Sequence, residues 1–566
     1  MSMINKIKTG SIIAVISYAI IACTPHPPTY DLIIRSGTIY DGLGGKPYIG
    51  DVAISGDRIT AVGDLDDATA IKEIDASGKA VSPGFINMLS WATISLIEDG
   101  RGMSDLKQGV TLEVMGEGWS MGPWNDTLKA DAVARQTDIK YDIEWSTLGE
   151  YLEYLVMKGI SPNVASYVGA TTLRIHEVGY KNRKATDEEL SRMQDLVRDA
   201  MREGALGVGS SLIYAPSNFA NKDELIALVS AAAEFGGAYI SHIRSEGNWL
   251  QEGVQELIDI ASATGVPAEI YHLKASGKPN WHKLDQVFNM IKDARAKGLR
   301  ITADIYTYPA SATGLNAAMP LWVQEGGHDA WIARLKDPEQ RAQVVHAMNH
   351  DATTWNNTYL QVGPENILLL GFKHPTLKSL IGKTLNEVAE ERKADPAETA
   401  INLVIEDDSR VEVSYFGMSE ENVRKKMAQP WISFGSDEEA SATEGVFLLS
   451  NNHPRAFGTF ARVLGKYSRD EGIIPLEEAI RRMTSLPAKN IQIRDRGQLV
   501  EGFFADVVVF DPITVSDHAT FPKPHQYATG IEQVFINGKQ VLKNGQHTGA
   551  KPGRVVRGPG WIGWSK

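Results

Sequence analysis

His242 and His272 offer the most visible chemistry in this sequence. Each closes a short apolar run, Gly237-Ala238-Tyr239-Ile240-Ser241-His242 and Pro267-Ala268-Glu269-Ile270-Tyr271-His272, and charged or polar residues follow each. Imidazole is the commonest metal ligand among side chains and titrates near neutral pH. Either histidine alone could be a core residue satisfied by backbone groups, but the pair, in register on consecutive runs, points to metal ligation. Two carboxylates close other runs: Glu117 in Gly116-Glu117-Gly118-Trp119-Ser120, and Asp437 in Phe434-Gly435-Ser436-Asp437-Glu438. Two imidazoles and one carboxylate form a normal ligand set for Zn²⁺ with the fourth position open to water. A water bound there is acidified to a pKa of about 7. The expected ligands are therefore Glu117, His242 and His272. Asp437 is the expected proton carrier between the attacking water and the leaving group. Taken singly, Glu117 could be an exposed loop carboxylate and Asp437 a helix N-cap. Glu113, deeper in the same run as Glu117, is a further candidate ligand.

The elements that must hold these groups can be read along the chain. Between the two histidine runs lies a helical stretch, Trp249 to Thr264, closed by Gly265. Strand, helix, strand at that spacing is one βαβ unit of a parallel sheet, and it puts both histidines at C-terminal strand ends, where α/β barrels keep their chemistry. Eight such strands are expected: Val81–Leu89, Gly109–Glu117, Asn163–Gly169, Leu206–Leu212, Gly237–His242, Pro267–His272, Arg300–Ile305 and Trp431–Asp437. Helical stretches separate most of them; Asp187 to Glu203, introduced by Thr186 and Glu189 as a capping box, is the clearest. The fold class is α/β, a (β/α)8 barrel over residues 81–485. A helical insertion, residues 314–430, separates strands seven and eight and is expected to cover the barrel mouth; it is too long for a loop. Alternating stretches over residues 30–80 and 486–550 predict a small β-sandwich built from both chain ends. Residues 551–566 are left as a C-terminal tail.

Length and charge narrow the function classes. A chain of 566 residues exceeds one simple core and fits a large barrel with an added domain. A net charge of −13, with no Lys/Arg block, argues against a nucleic-acid partner. Residues 1–23 carry Lys6 and Lys8, then the apolar run Ile12 to Ala22, which is a signal-peptide layout. The run ends Ile20-Ile21-Ala22-Cys23 and resembles the lipobox of bacterial lipoproteins, so Cys23 is the expected lipidation site. A Pro-containing linker, residues 24–29, follows. This predicts a lipid-anchored protein of the bacterial cell envelope, and Thr24 after the cysteine points to the outer membrane. Cys23 is the sole cysteine. No disulfide can form within the chain, and no metal site here is expected to use a cysteine thiolate.

Across nearly all of the mature chain the sequence resembles the amidohydrolase superfamily, and within it the N-acyl-D-amino-acid deacylases (D-aminoacylases). The resemblance rests on Pro83-Gly84-Phe85-Ile86, Gly109-Val110-Thr111, Ser241-His242-Ile243-Arg244, His272-Leu273-Lys274, Gly435-Ser436-Asp437, His453-Pro454-Arg455 with Gly458-Thr459-Phe460, and Glu501-Gly502-Phe503-Phe504-Ala505-Asp506-Val507-Val508. It implies that His242 and His272 are metal ligands and Asp437 the catalytic aspartate. It also implies that Lys274, Tyr306 and Arg455 hold the substrate's carboxylate and carbonyl, with Tyr308 as the substitute for Tyr306. A guanidinium fork suits a carboxylate, although Arg455 could also serve as a surface ion-pair residue.

Three positions depart from the family pattern. Leu89-Ser90-Trp91 stands where His-x-His is usual. Glu117 falls on the bridging position that D-aminoacylases fill with cysteine. Gly169-Ala170-Thr171 replaces a Gly-His-Gly. These departures imply one zinc ion per chain rather than two. The expected activity is zinc-dependent hydrolysis of a small N-acyl-D-amino acid or related amide. The alternatives are hydrolysis of cyclic amides or dipeptides by the same metal, and a lipid-anchored binding protein without catalysis.

Overall fold

The computed structural model describes residues 29–352 and 354–565. The expected signal peptide, Cys23 and linker residues 24–28 lie outside the described residues, while Thr29, expected in the linker, opens the strand Thr29–Ile39. Eight parallel strands form a barrel. Three are hydrogen-bonded in one run, Phe85–Asn87, Val110–Met115 and Asn163–Ser166. Six pieces form the other: Val168–Gly169, Gly207–Ser211, Ala238–His242, Ala268–Ile270, Ile301–Ile305 and Ile432–Phe434. Asn163–Ser166 and Val168–Gly169 are two parts of one strand interrupted at Tyr167, whose amide donates to Met115 O at 2.9 Å. The ring closes where Met88 N donates to Phe434 O at 3.1 Å and Ser90 bridges Glu438 in parallel. Helices alternate with the strands. Asp187–Arg202 carries the expected capping box of Thr186 and Glu189, and Leu250–Thr264 ends on Gly265 at φ 72°. Leu250, Val254, Leu257 and Ala261 recur at helical spacing along one face and are buried.

Four boundaries differ from the sequence expectation, each for a local reason. The first expected strand is split at Gly84. Ala80–Pro83 pairs with Thr29–Ile39 and Val507–Phe510 in the β domain, whereas Phe85–Asn87 pairs with Val110–Met115 in the barrel. A Cβ on Gly84 would sit 2.1 Å from Thr111 Oγ1, so only glycine lets the chain pass from one sheet to the other. The β domain is one continuous nine-stranded sheet rather than two separate ones. Thr29–Ile39 bends at Ser36 (φ 57°), so its first half pairs with Thr69–Asp75 and its end with Ala80–Pro83. Ile34, Val52, Ile54, Val81, Val507 and Phe535 fill the fold of that sheet.

The insertion is not purely helical. Ser311–Gly314, Glu412–Tyr415 and Ile367–Gly371 make a three-stranded antiparallel sheet, and Leu315, Leu369, Val388, Ile401 and Val413 share a separate core with it. The helix Glu420–Met427, expected inside the insertion, buries Val423 and Met427 in the barrel core instead. The insertion meets the C-terminal strand loops through Tyr214 Oη to Thr313 Oγ1 (2.9 Å), Ser245 Oγ to Asn356 Oδ1 (2.9 Å) and Gly277 N to Gly417 O (2.8 Å). The expected tail is held along the opposite end of the barrel: Val164 N donates to Arg554 O, Val556 N to Val164 O and Gly558 N to Gly204 O.

Candidate metal and catalytic site

The four strand-end residues come together at the C-terminal mouth. Glu117 follows Val110–Met115 on a Gly-Glu-Gly turn. Gly116 (φ 107°) and Gly118 (φ 70°) occupy the left-handed region, and a Cβ on them would lie 2.4 Å from Tyr167 O and 2.5 Å from Ser211 Cβ. The turn is thus wedged against the third and fourth strands, and this fixes where the carboxylate points. Glu117 Oε1 lies 2.8 Å from His242 Nδ1 and 2.9 Å from His272 Nε2. The two imidazole rings meet edge to face with centroids 4.4 Å apart. All three side chains are buried, and their ligand atoms lie within 4.8 Å of one another. His242 closes its strand, while His272 stands beyond Ile270 with φ 35°, its amide held by Asp304 Oδ1 at 2.9 Å. Asp437 is likewise left-handed at φ 54°. Such backbone costs on the order of 1–2 kcal/mol per residue and is held here by the surrounding strands. The trio fits a divalent cation: one carboxylate oxygen and two ring nitrogens converge in a buried place, and the second nitrogen of the His242 ring, Nε2, is buried without a hydrogen-bond partner.

Charge in the site is tightly balanced. Burial and Lys274 both work to lower the His272 pKa, yet Glu117, Asp437 and Glu246 overcome them and raise it to about 10. Burial would raise the Glu117 carboxyl, but the two histidines pull it below its ordinary value. A divalent ion would replace the protons that these groups otherwise share. Lys274 Nζ reaches Glu246 Oε1 at 2.6 Å and His272 Nδ1 at 2.7 Å. Ligation through His272 Nε2 leaves Nδ1 turned to this pair, with Glu246 Oε1 3.1 Å away. Below them, burial and Lys274 bring the Lys426 ammonium down to about 7, and its Nζ donates to Leu273 O at 2.9 Å.

Asp437 and Arg455 face one another across the open side. Arg455 Nη1 is 2.6 Å from Asp437 Oδ2, an ion pair by distance whose hydrogen is not directed along the contact. Arg455 Nε is 3.5 Å from Glu438, and the guanidinium lies 4.5 Å over the Tyr306 ring. Burial pushes Glu438 up to about 7 against the pull of Arg455. The Arg455 amide donates to His453 Nδ1 at 3.0 Å, so His453 carries its proton on Nε2, which faces Ala310 O at 3.0 Å. Burial holds that imidazole neutral. Tyr306 stands 6.4 Å from the His272 ring, whereas Tyr308 turns to Asp517 (3.3 Å). Glu113 lies outside the metal trio: its Oε2 accepts from Asn87 at 3.0 Å, and burial raises it to about 7.

Four participants were not assigned a role from sequence. Glu246 sits in the loop after the fifth strand, where no periodicity marks it. Asp517 and Phe521 come from the β domain; Arg462 Nη1 donates to Asp517 at 3.0 Å, and Phe521 packs on His453 (4.8 Å) and Phe416 (4.6 Å) at the mouth. Trp91, read as a missing ligand, donates from Nε1 to Glu117 Oε2 at 3.1 Å and to Asp437 Oδ1 at 3.2 Å.

A barrel of this topology, with histidines and a carboxylate converging at its strand ends and a β domain built from both termini, is the architecture of metal-dependent amide hydrolases. Residues 72–542 match the amidohydrolase family, and the chain belongs to it, among the N-acyl-D-amino-acid deacylases. A D-aminoacylase of Alcaligenes xylosoxydans xylosoxydans is 32% identical over 531 residues, covering 93% of this chain and 97% of the relative. A solved D-aminoacylase, described in terms of a binuclear metal centre with one-metal activation and second-metal attenuation, superposes with TM-score 0.76 at 31% identity over 93% of this chain and 100% of that one. The N-acyl-D-glutamate deacylase of Bordetella bronchiseptica, solved with zinc and a phosphonate mimic of the tetrahedral intermediate, gives TM-score 0.77 at 29% identity, covering 94% and 100%.

Proposed function

We propose that the protein removes the acyl group from N-acyl-D-amino acids, with a single zinc ion held by Glu117, His242 and His272. The observation that carries this reading is the convergence of Glu117 Oε1, His242 Nδ1 and His272 Nε2 opposite the Asp437–Arg455 pair. When bound, zinc supplies Lewis acidity and a water of lowered pKa. Asp437 takes the proton of the attacking water and delivers it to the departing nitrogen. Arg455, stacked on Tyr306, binds the α-carboxylate of the substrate; pairing with that carboxylate frees Asp437 from its contact. Lys274, held between Glu246 and His272, supplies a second cation beside the scissile carbonyl. The D-configuration and the acyl-amide substrate draw support from the relatives, whose names state both. A panel of N-acetyl-D- and N-acetyl-L-amino acids, hydantoins and dipeptides tests this. Turnover of the D-acyl compounds at least tenfold above all others is expected; preference for cyclic amides or dipeptides would overturn it.

We also infer that the mature protein is anchored through lipid on Cys23 in the bacterial envelope, facing the periplasm. Support comes from the charged, apolar and Ile-Ala-Cys segments of residues 1–23. Detergent-phase partitioning of the wild-type protein, lost in Cys23→Ala, is the expected result; equal partitioning of both would contradict it.

A further inference from the structure

Trp91 occupies a telling place. Its amide donates to Glu438 O at 2.9 Å, which fixes the residue across the seam of the barrel. From there the indole N–H reaches two buried carboxylates at once, Glu117 Oε2 (3.1 Å) and Asp437 Oδ1 (3.2 Å). Glu117 thereby divides its work: Oε1 faces both imidazoles and Oε2 faces the indole. Two buried carboxylates that share one space repel each other unless a cation, a proton or a donor lies between them. Here the donor is neutral, rigid and bulky, and it can neither release a lone pair nor bind a metal. Leu89, two residues earlier, is fully buried among Ile86, Met88 and Tyr167 and offers no ligand either. In the related D-aminoacylase a binuclear centre is described; in this chain an indole lies between the carboxylates instead.

We propose that Trp91 is a positioning residue that takes the place of a second metal ion, tying Glu117 to Asp437 and limiting the site to one cation. This inference rests on the proposed zinc site of Glu117, His242 and His272. Zinc binding to metal-free protein, followed by calorimetry and by equilibrium dialysis with elemental analysis, separates the possibilities. Wild type is expected to saturate at about one zinc per chain, with any further uptake at least 100-fold weaker. Trp91→Phe keeps the shape and loses the N–H; it should retain the stoichiometry but bind zinc about tenfold more weakly, as loss of a partner to a ligand does. The double variant Leu89→His/Trp91→His should take up a second zinc. Thermal melts accompany each variant, and Trp91→Phe serves as the folded probe where the double variant does not fold. Two zinc ions bound by wild type with similar affinity, or an unchanged affinity in Trp91→Phe, would overturn the inference alone. No zinc uptake by wild type, or uptake unaltered by His242→Ala, would instead overturn the metal assignment and the inference with it.

Discussion

Asp437 holds its carboxylate between an indole donor and a guanidinium, on a backbone that few non-glycine residues adopt. That environment aims it, as a proton acceptor requires, while desolvation pushes its partly buried neighbour Glu438 up to about 7. Asp437→Asn preserves shape and removes the basic oxygen. It should lower kcat by roughly 10³-fold while the protein still binds zinc; kinetics paired with metal analysis check both halves. Retention of substantial turnover would remove Asp437 from its role. At this scale the sequence was informative where chemistry coincides with a strand end: Glu117, His242, His272 and Asp437 each terminate an apolar run. It was silent on Glu246, which is an ordinary loop acid until the fold brings its oxygen 3.1 Å from His272 Nδ1. Trp91 was visible only as an absence of histidine, because a hydrogen bond across the barrel seam leaves no local pattern.

The elements explain why those few residues suffice. The Gly116-Glu117-Gly118 turn can lie against the third and fourth strands because neither glycine has a side chain to accommodate. Gly118→Ala sets a Cβ 2.5 Å from Ser211 Cβ at φ 70°. It should cost about 2 kcal/mol of stability and, because Glu117 must move, reduce zinc content more than it reduces folded protein. Thermal melts and elemental analysis compare the two losses. All eight strands were legible from apolar runs with flanking turns, as was the capped helix Asp187–Arg202. The β-sheet of the insertion was not, because Ile367-Leu368-Leu369-Leu370 lacks alternation and reads equally as helix. Glu420–Met427 was drawn into the insertion because five of its eight residues are charged, and its two apolar anchors are too few to announce a barrel helix.

The whole molecule places a rigid barrel between two covers. The insertion rests on the loops after the fourth to sixth strands, and the β domain sends Asp517 and Phe521 to the mouth. At the far end, residues 553–558 hydrogen-bond to Ile160, Val164 and Gly204, with Val556 buried. Truncation after Ala550 should lower the Tm by on the order of 5 °C and leave kcat at 25 °C nearly unchanged, because the lost contacts lie opposite the site. Calorimetry and assay of the truncated chain test that separation of stability from function. The central claim is that one cation, held by Glu117, His242 and His272, drives amide hydrolysis, and a single titration addresses it. Zinc added to metal-free protein while hydrolysis of N-acetyl-D-amino acids is followed should raise activity linearly to about one equivalent and then hold it level, with no response in His242→Ala. Activity in the metal-free protein, or activity that continues to rise to two equivalents, would contradict the account.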